Sequence, residues 1–167
     1  MTNGETIPLS RIVHEDVQSI LQQIGSRCHA LNGKRLLVTG GTGFIGSYLL
    51  ETFAYLNDRV LAEPCAVSVV TRDIRRVTDR LPQLGQRRDF TFIESDIRKF
   101  RSASRTWDYV IHGAASADAR VFLKDPSEIM DIIADGTKVV LNEAAAGVES
   151  FLFISSGAVY GQQSHEY

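Results

Sequence analysis

Apolar residues along this chain fall into two patterns, and the switch between them predicts the architecture. Near the N-terminus Ile12, Val13, Val17, Ile20, Leu21 and Ile24 recur at three- and four-residue spacing with Asp16 on the same stripe, which predicts an amphipathic helix. Ser10 is placed to cap it, Leu9 to staple it and Gly25 to stop it, while residues 1–8 read as a frayed polar end. After Asn32-Gly33 the apolar residues gather into short continuous runs: Arg35–Thr39, Val67–Thr71, Phe90–Glu94, Tyr109–His112 and Phe151–Ser155. Runs of this length, bounded by turn residues, predict buried strands. Helical stretches separate them. Phe44–Leu56 carries Ile45, Leu49, Leu50 and Phe53 inward, Ile74–Leu81 is a charged segment, and Pro126–Ile133 and Gly136–Ala146 read as two helices, the second with Val139, Val140 and Ala144 inward. Strands alternating with helices imply right-handed crossovers, hence an α/β fold on a parallel sheet.

Composition narrows the function without naming it. At 44% hydrophobic and 23% charged, 167 residues suit one globular unit with a core. A formal net charge of −2 gives no electrostatic case for nucleic acid or an anionic membrane. No apolar run approaches the ~20 residues of a membrane span, and no secretory leader is visible. Cys28 and Cys65 form neither a CxxC nor a metal-ligand spacing, so a reduced, cytoplasmic chain without a metal site is expected.

The candidate chemistry begins where the first strand ends. Gly40, Gly43 and Gly46 lie between a predicted strand and an apolar-faced helix. Glycines at such a junction permit a tight turn, close approach of backbone to phosphate, and close packing of helix on strand. The helix start, Phe44-Ile45-Gly46, then offers free N–H groups and a positive dipole end to a pyrophosphate. No Gly-Lys-Ser/Thr follows, which excludes a P-loop.

The stretch Thr39-Gly40-Gly41-Thr42-Gly43-Phe44-Ile45-Gly46 resembles the TGxxGFIG signature of the extended short-chain dehydrogenase/reductase superfamily, in its NAD-dependent epimerase/dehydratase (nucleotide-sugar) branch. The resemblance implies a Rossmann-type doubly wound sheet in the order 3-2-1-4-5, with the cofactor across the switch between strands one and four. It implies further roles along the chain. An acid after strand two binds the adenosine ribose in that family; here Arg72 stands at that place and Asp73 one step later, so NAD is expected and NADP stays open. Asp96-Ile97-Arg98 resembles a D-[IV]-R segment whose Asp and following N–H serve the adenine, and His112-Gly113-Ala114-Ala115 resembles an H-x-A-[AG] segment whose small residues lie against the cofactor. His112 itself reads as a packed strand-end histidine. Ser155-Ser156-Gly157-Ala158-Val159-Tyr160-Gly161 is similar to SS-x-x-VYG, which makes Ser156 the catalytic serine that hydrogen-bonds the reacting sugar oxygen.

Two departures limit the resemblance. Ile133 stands where the family often has an asparagine, and no Tyr-x-x-x-Lys occurs, Tyr167 being the last residue. The similarity therefore covers residues 34–161 and is expected to be the first part of a longer enzyme, inactive by itself. Residues 1–33 are expected to form a helical extension and 34–167 an NAD(P)-binding domain that the resemblance implies is incomplete, without the substrate domain. The whole enzyme is expected to act on a nucleoside-diphosphate sugar through a 4-keto intermediate (epimerisation, dehydration or decarboxylation), and to be a homodimer through helices within Pro126–Ala146. An NADP-dependent reductase of the same superfamily and a non-catalytic nucleotide-binding protein are the alternatives.

Overall fold

The runs Arg35–Thr39 and Val67–Thr71 are apolar on both faces because both faces are buried. The computed structural model describes residues 9–103, 105–115, 123–144 and 146–161. Its strands are β1 (Arg35–Thr39), β2 (Ala66–Thr71), β3 (Phe90–Glu94), β4 (Tyr109–His112) and β5 (Ser150–Phe153). All pair in parallel in the order β3-β2-β1-β4-β5, with Val38 of β1 opposite Val69 of β2 and Ile111 of β4. Alternation sorts β1 into two cores: Leu36 and Val38 join Leu50, Phe53 and Val67 on one face, while Leu37 joins Val110, Ile132 and Val140 on the other.

Helix α1 (Leu9–Ile24) precedes the sheet and α2 (Phe44–Arg59) links β1 to β2. The amphipathic stripe of α1 packs on α2: Val17 is buried, Leu21 and Ile24 pack against the first core, and the Tyr48 hydroxyl donates to Asp16 at 3.0 Å. The helix starts at Leu9, so Ser10 lies within its first turn instead of capping it and Leu9 does not precede it as a staple; the Ile12 and Val13 side chains, residues 1–8 and Tyr167 lie outside the described residues. Gly25, with φ +57°, ends α1 and leads into a 3₁₀ segment, Gly25–Leu31. Helix α2 runs three residues past Leu56, because buried Asn57 belongs to it. Its side-chain amide donates to the Cys65 carbonyl (2.9 Å) and Asp89 (2.6 Å), and its oxygen accepts from Cys65 N (3.0 Å). One side chain thereby ties the end of α2 to the starts of β2 and β3.

The sequence expectation fails at three further places. Pro126–Ile133 and Gly136–Ala146 are one helix, α4 (Pro126–Ala144), following the short α3 (Arg75–Arg80) in the chain. Gly136 does not break α4; a Cβ there would lie 2.7 Å from Ile97 Cγ2, so the glycine lets the helix seat on the turn after β3. Ile45 does not face inward: it is 57% exposed, since the first turn of α2 stands at the open end of the sheet rather than over it. Finally, β5 closes at Phe153, opposite His112, because its partner β4 turns away at Gly113. Both cysteines are buried and free, and burial pushes the Cys65 thiol up to about 11. Among the described residues no helix is long and apolar enough to cross a membrane.

Candidate functional site

The chain leaves β1 and returns on either side of it, β2 to one side and β4 to the other, so the loops at the C-terminal ends of β1 and β4 diverge and leave a crevice. A cavity of about 370 Å³ occupies that place. Its floor is the glycine loop, with Gly40, Thr42 and Gly43 followed by Phe44, Ile45 and Gly46 of the first turn of α2. Thr71, Arg72 and Arg76 line it from the β2 side, Ser95, Asp96 and Ile97 from β3, and Gly113, Ala114 and Ala115 from β4.

The loop is shaped by what its residues lack. Gly40 adopts φ +75°, and a Cβ on it would fall 2.3 Å from the Gly113 carbonyl oxygen. A Cβ on Gly46 would lie 2.2 Å from the Gly40 oxygen and 2.6 Å from Gly41 Cα, so the helix can start this close to the loop only with glycine there. Gly43 N donates to Gly40 O at 3.0 Å and Ser47 N to Gly43 O at 2.9 Å. The N–H groups of Phe44, Ile45 and Gly46 lie in the first turn and have no intrahelical acceptor. A pyrophosphate needs convergent backbone donors, a positive dipole end and no intruding side chain; this loop supplies all three.

The polar groups around the loop are tightly assigned. Thr39 Oγ1 accepts from the N–H groups of Gly113 and Ala114, both at 3.2 Å, so its own hydrogen goes to His112 Nδ1 at 2.6 Å. Nε2 of His112 then carries the ring proton and donates to Thr137 Oγ1 at 3.1 Å, whose hydroxyl donates to the Ile133 carbonyl. His112 is 1% exposed, and burial pulls its pKa down to about 4, so the ring is neutral. It is the packed strand-end histidine of the sequence reading. Asp96 accepts from Arg98 N (2.9 Å), Nε (3.1 Å) and Nη2 (2.6 Å), and the Arg98 guanidinium also reaches Glu128 of α4 at 2.8 Å. The Arg98 side chain holds Asp96 down at about 2, so its carboxylate on the cavity wall is charged.

Two sequence candidates are placed elsewhere. Asp73 is not on the cavity lining; its carboxylate is gripped by Arg75 through Nε (2.9 Å), Nη2 (3.1 Å) and the backbone N (3.0 Å), and this lowers its pKa. Ser156 is exposed beyond β5 and also off the lining, with its carbonyl accepting from Val159 N at 3.3 Å. Conversely, sequence reasoning gave no role to Thr39, Arg76 or Arg80. The signal for the arginines is their spacing: Arg72, Arg76 and Arg80 are four apart, and Arg80 Nη1 donates to the Thr42 carbonyl at 3.1 Å.

Comparison with known proteins agrees with this geometry. The profile of the NAD dependent epimerase/dehydratase family matches residues 36–167. A UDP-glucose 4-epimerase of Klebsiella pneumoniae is 34% identical over 77% of this chain and 94% of its own length. A dTDP-D-glucose 4,6-dehydratase of Mus musculus is 29% identical over 77% of this chain but only 37% of its own. The structure of UDP-glucose-4-epimerase from Stenotrophomonas maltophila, with bound NAD and formylated UDP-arabinopyranose, superposes with a TM-score of 0.60 at 28% identity, over 79% of this chain and 40% of that one.

Proposed function

We propose, for a chain that belongs to the NAD dependent epimerase/dehydratase family, that it binds a nicotinamide dinucleotide across the β1/β4 crevice as the cofactor-binding part of an enzyme acting on a nucleoside-diphosphate sugar. The observation that carries this reading is the cavity whose floor is the Gly40–Gly46 loop and the open first turn of α2. The N–H groups of Phe44, Ile45 and Gly46 hold the pyrophosphate, the charged Asp96 and the Ile97 N–H meet the adenine, and the Gly113–Ala115 backbone lies along the cofactor. Ser156 donates to, or accepts from, the sugar oxygen that changes oxidation state. When bound, the dinucleotide accepts and returns hydride. The sugar passes through a 4-keto form from which epimerisation, dehydration or decarboxylation follows. The exposed Met130 and Leu141 on α4 suit a helix-to-helix homodimer contact.

Nicotinamide fluorescence on titrating the chain with NADH and NADPH tests the binding half. Saturable binding of at least one form is expected, and Gly46→Val, whose side chain meets the Gly40 oxygen, abolishes it. A folded wild-type chain that binds neither overturns the reading. The catalytic half is tested on the protein isolated from its source: adding a UDP- or dTDP-hexose to the loaded protein builds up reduced-nicotinamide absorbance.

A further inference from the structure

From the charges at the β2 end of the cavity we infer that the site takes a dinucleotide with a phosphate on the adenosine 2′-oxygen, and that Arg72 and Arg76 bind that phosphate. This rests on the dinucleotide reading above and departs from the NAD expected from the family.

The side chain after β2 decides between a ribose hydroxyl and a phosphate: a carboxylate accepts from the hydroxyl and repels the phosphate, a guanidinium does the reverse. The carboxylates near this end are already engaged: Asp96, the one on the wall, has both oxygens on the Arg98 guanidinium, and two more are withheld. Asp73 is off the cavity wall with its two oxygens on Arg75, and Glu94 accepts from the Ile74 N–H at 3.1 Å. The two cationic side chains, Arg72 and Arg76, are on the wall instead. Arg72 makes no hydrogen bond or ion pair among the described residues, so its donors are available to a ligand. Arg80, one helical turn beyond Arg76, holds the Thr42 carbonyl, which fixes α3 against the glycine loop and so fixes where Arg76 stands. A doubly charged, acceptor-only group between two guanidinium groups forms charge-assisted hydrogen bonds that a neutral hydroxyl does not.

Calorimetric titration of the 167-residue chain with NADP and NAD tests this. NADP is expected to bind at least tenfold more tightly, which corresponds to about 1.4 kcal/mol, and 2′,5′-ADP to compete better than 5′-ADP. Arg72→Ala and Arg72→Gln each shrink the NADP advantage at least fivefold through weaker NADP binding; because Arg72 is exposed, circular dichroism of both variants should match wild type. NAD binding as tightly as NADP, or an advantage that survives both substitutions, overturns the 2′-phosphate assignment alone and leaves the dinucleotide site standing. A folded chain that binds neither nucleotide overturns both.

Discussion

His112 is held between Thr39 and Thr137 with a fixed division of donors, and its protonation has a calculable cost. Its native pKa of about 4 lies below the ordinary 6.5. Between these values the unfolded chain binds more protons than the native one, so stability rises with pH across that window. It is complete above pH 6.5 and lost as pH falls toward 4, a difference of about 3 kcal/mol at most. Protonation at Nδ1 would also remove the acceptor that Thr39 uses, at the point where Thr39 holds the Gly113 and Ala114 N–H groups. Urea unfolding at pH values from 4 to 7 should show this slope in wild type and a flatter one in His112→Asn; equal slopes would remove His112 as the titrating group. Asp96, bound by Arg98, and Asp108, whose carboxylate accepts from the Arg35 backbone N and guanidinium where β1 and β4 begin, are both held at about 2. They lose their contribution only below the ordinary carboxylate value, so their window lies lower.

At the scale of elements, close packing overrides helix propensity. Alanine is favoured over glycine inside a helix by about 1 kcal/mol, so Gly136→Ala in mid-α4 would stabilise an isolated helix. Here the new Cβ meets Ile97 Cγ2, on the turn that carries Asp96 to the cavity. Gly136→Ala is therefore expected to destabilise by about 1 kcal/mol or more, and Ile97→Ala in the same chain to relieve part of that clash. A denaturant double-mutant cycle reads the coupling; a stabilised single variant would mean that Ile97 yields without cost. The same contact explains why a glycine that reads as a helix break is instead the seat of a continuous helix.

For the whole molecule, α1 and the cavity share the start of α2, with Ile45 and Leu49 lying between them. Helix α1 adds Val17, Leu21 and Ile24 to the core face behind α2, whereas the cavity opens at the C-terminal ends of the strands. Val17→Asp places a charge in that buried contact and is expected to cost about 2 kcal/mol or more, lowering the melting temperature. Dinucleotide affinity, measured where the variant remains folded, should change less than threefold. A large loss of affinity would instead mean that α1 controls the position of the glycine loop through α2.

Local chemistry was enough to locate most of this molecule. The five apolar runs between turn residues located the strands to within a residue or two; for the central β1 and β2, a strand buried on both faces has no other composition available. The spacing of Gly40, Gly43 and Gly46 located the loop, because close backbone approaches admit no side chain at Gly40 and Gly46. What the sequence could not specify was set by contacts between distant segments. Whether Gly136 breaks or seats a helix depends on Ile97, 39 positions earlier. Whether Asp73 or Arg72 faces the crevice depends on Arg75 taking the carboxylate. Which tautomer His112 adopts depends on Thr39 and Thr137, brought to it by β1 and α4. Sequence determines which residue types can occupy an element; only the folded arrangement decides which of their polar groups are already satisfied and which remain to meet a ligand.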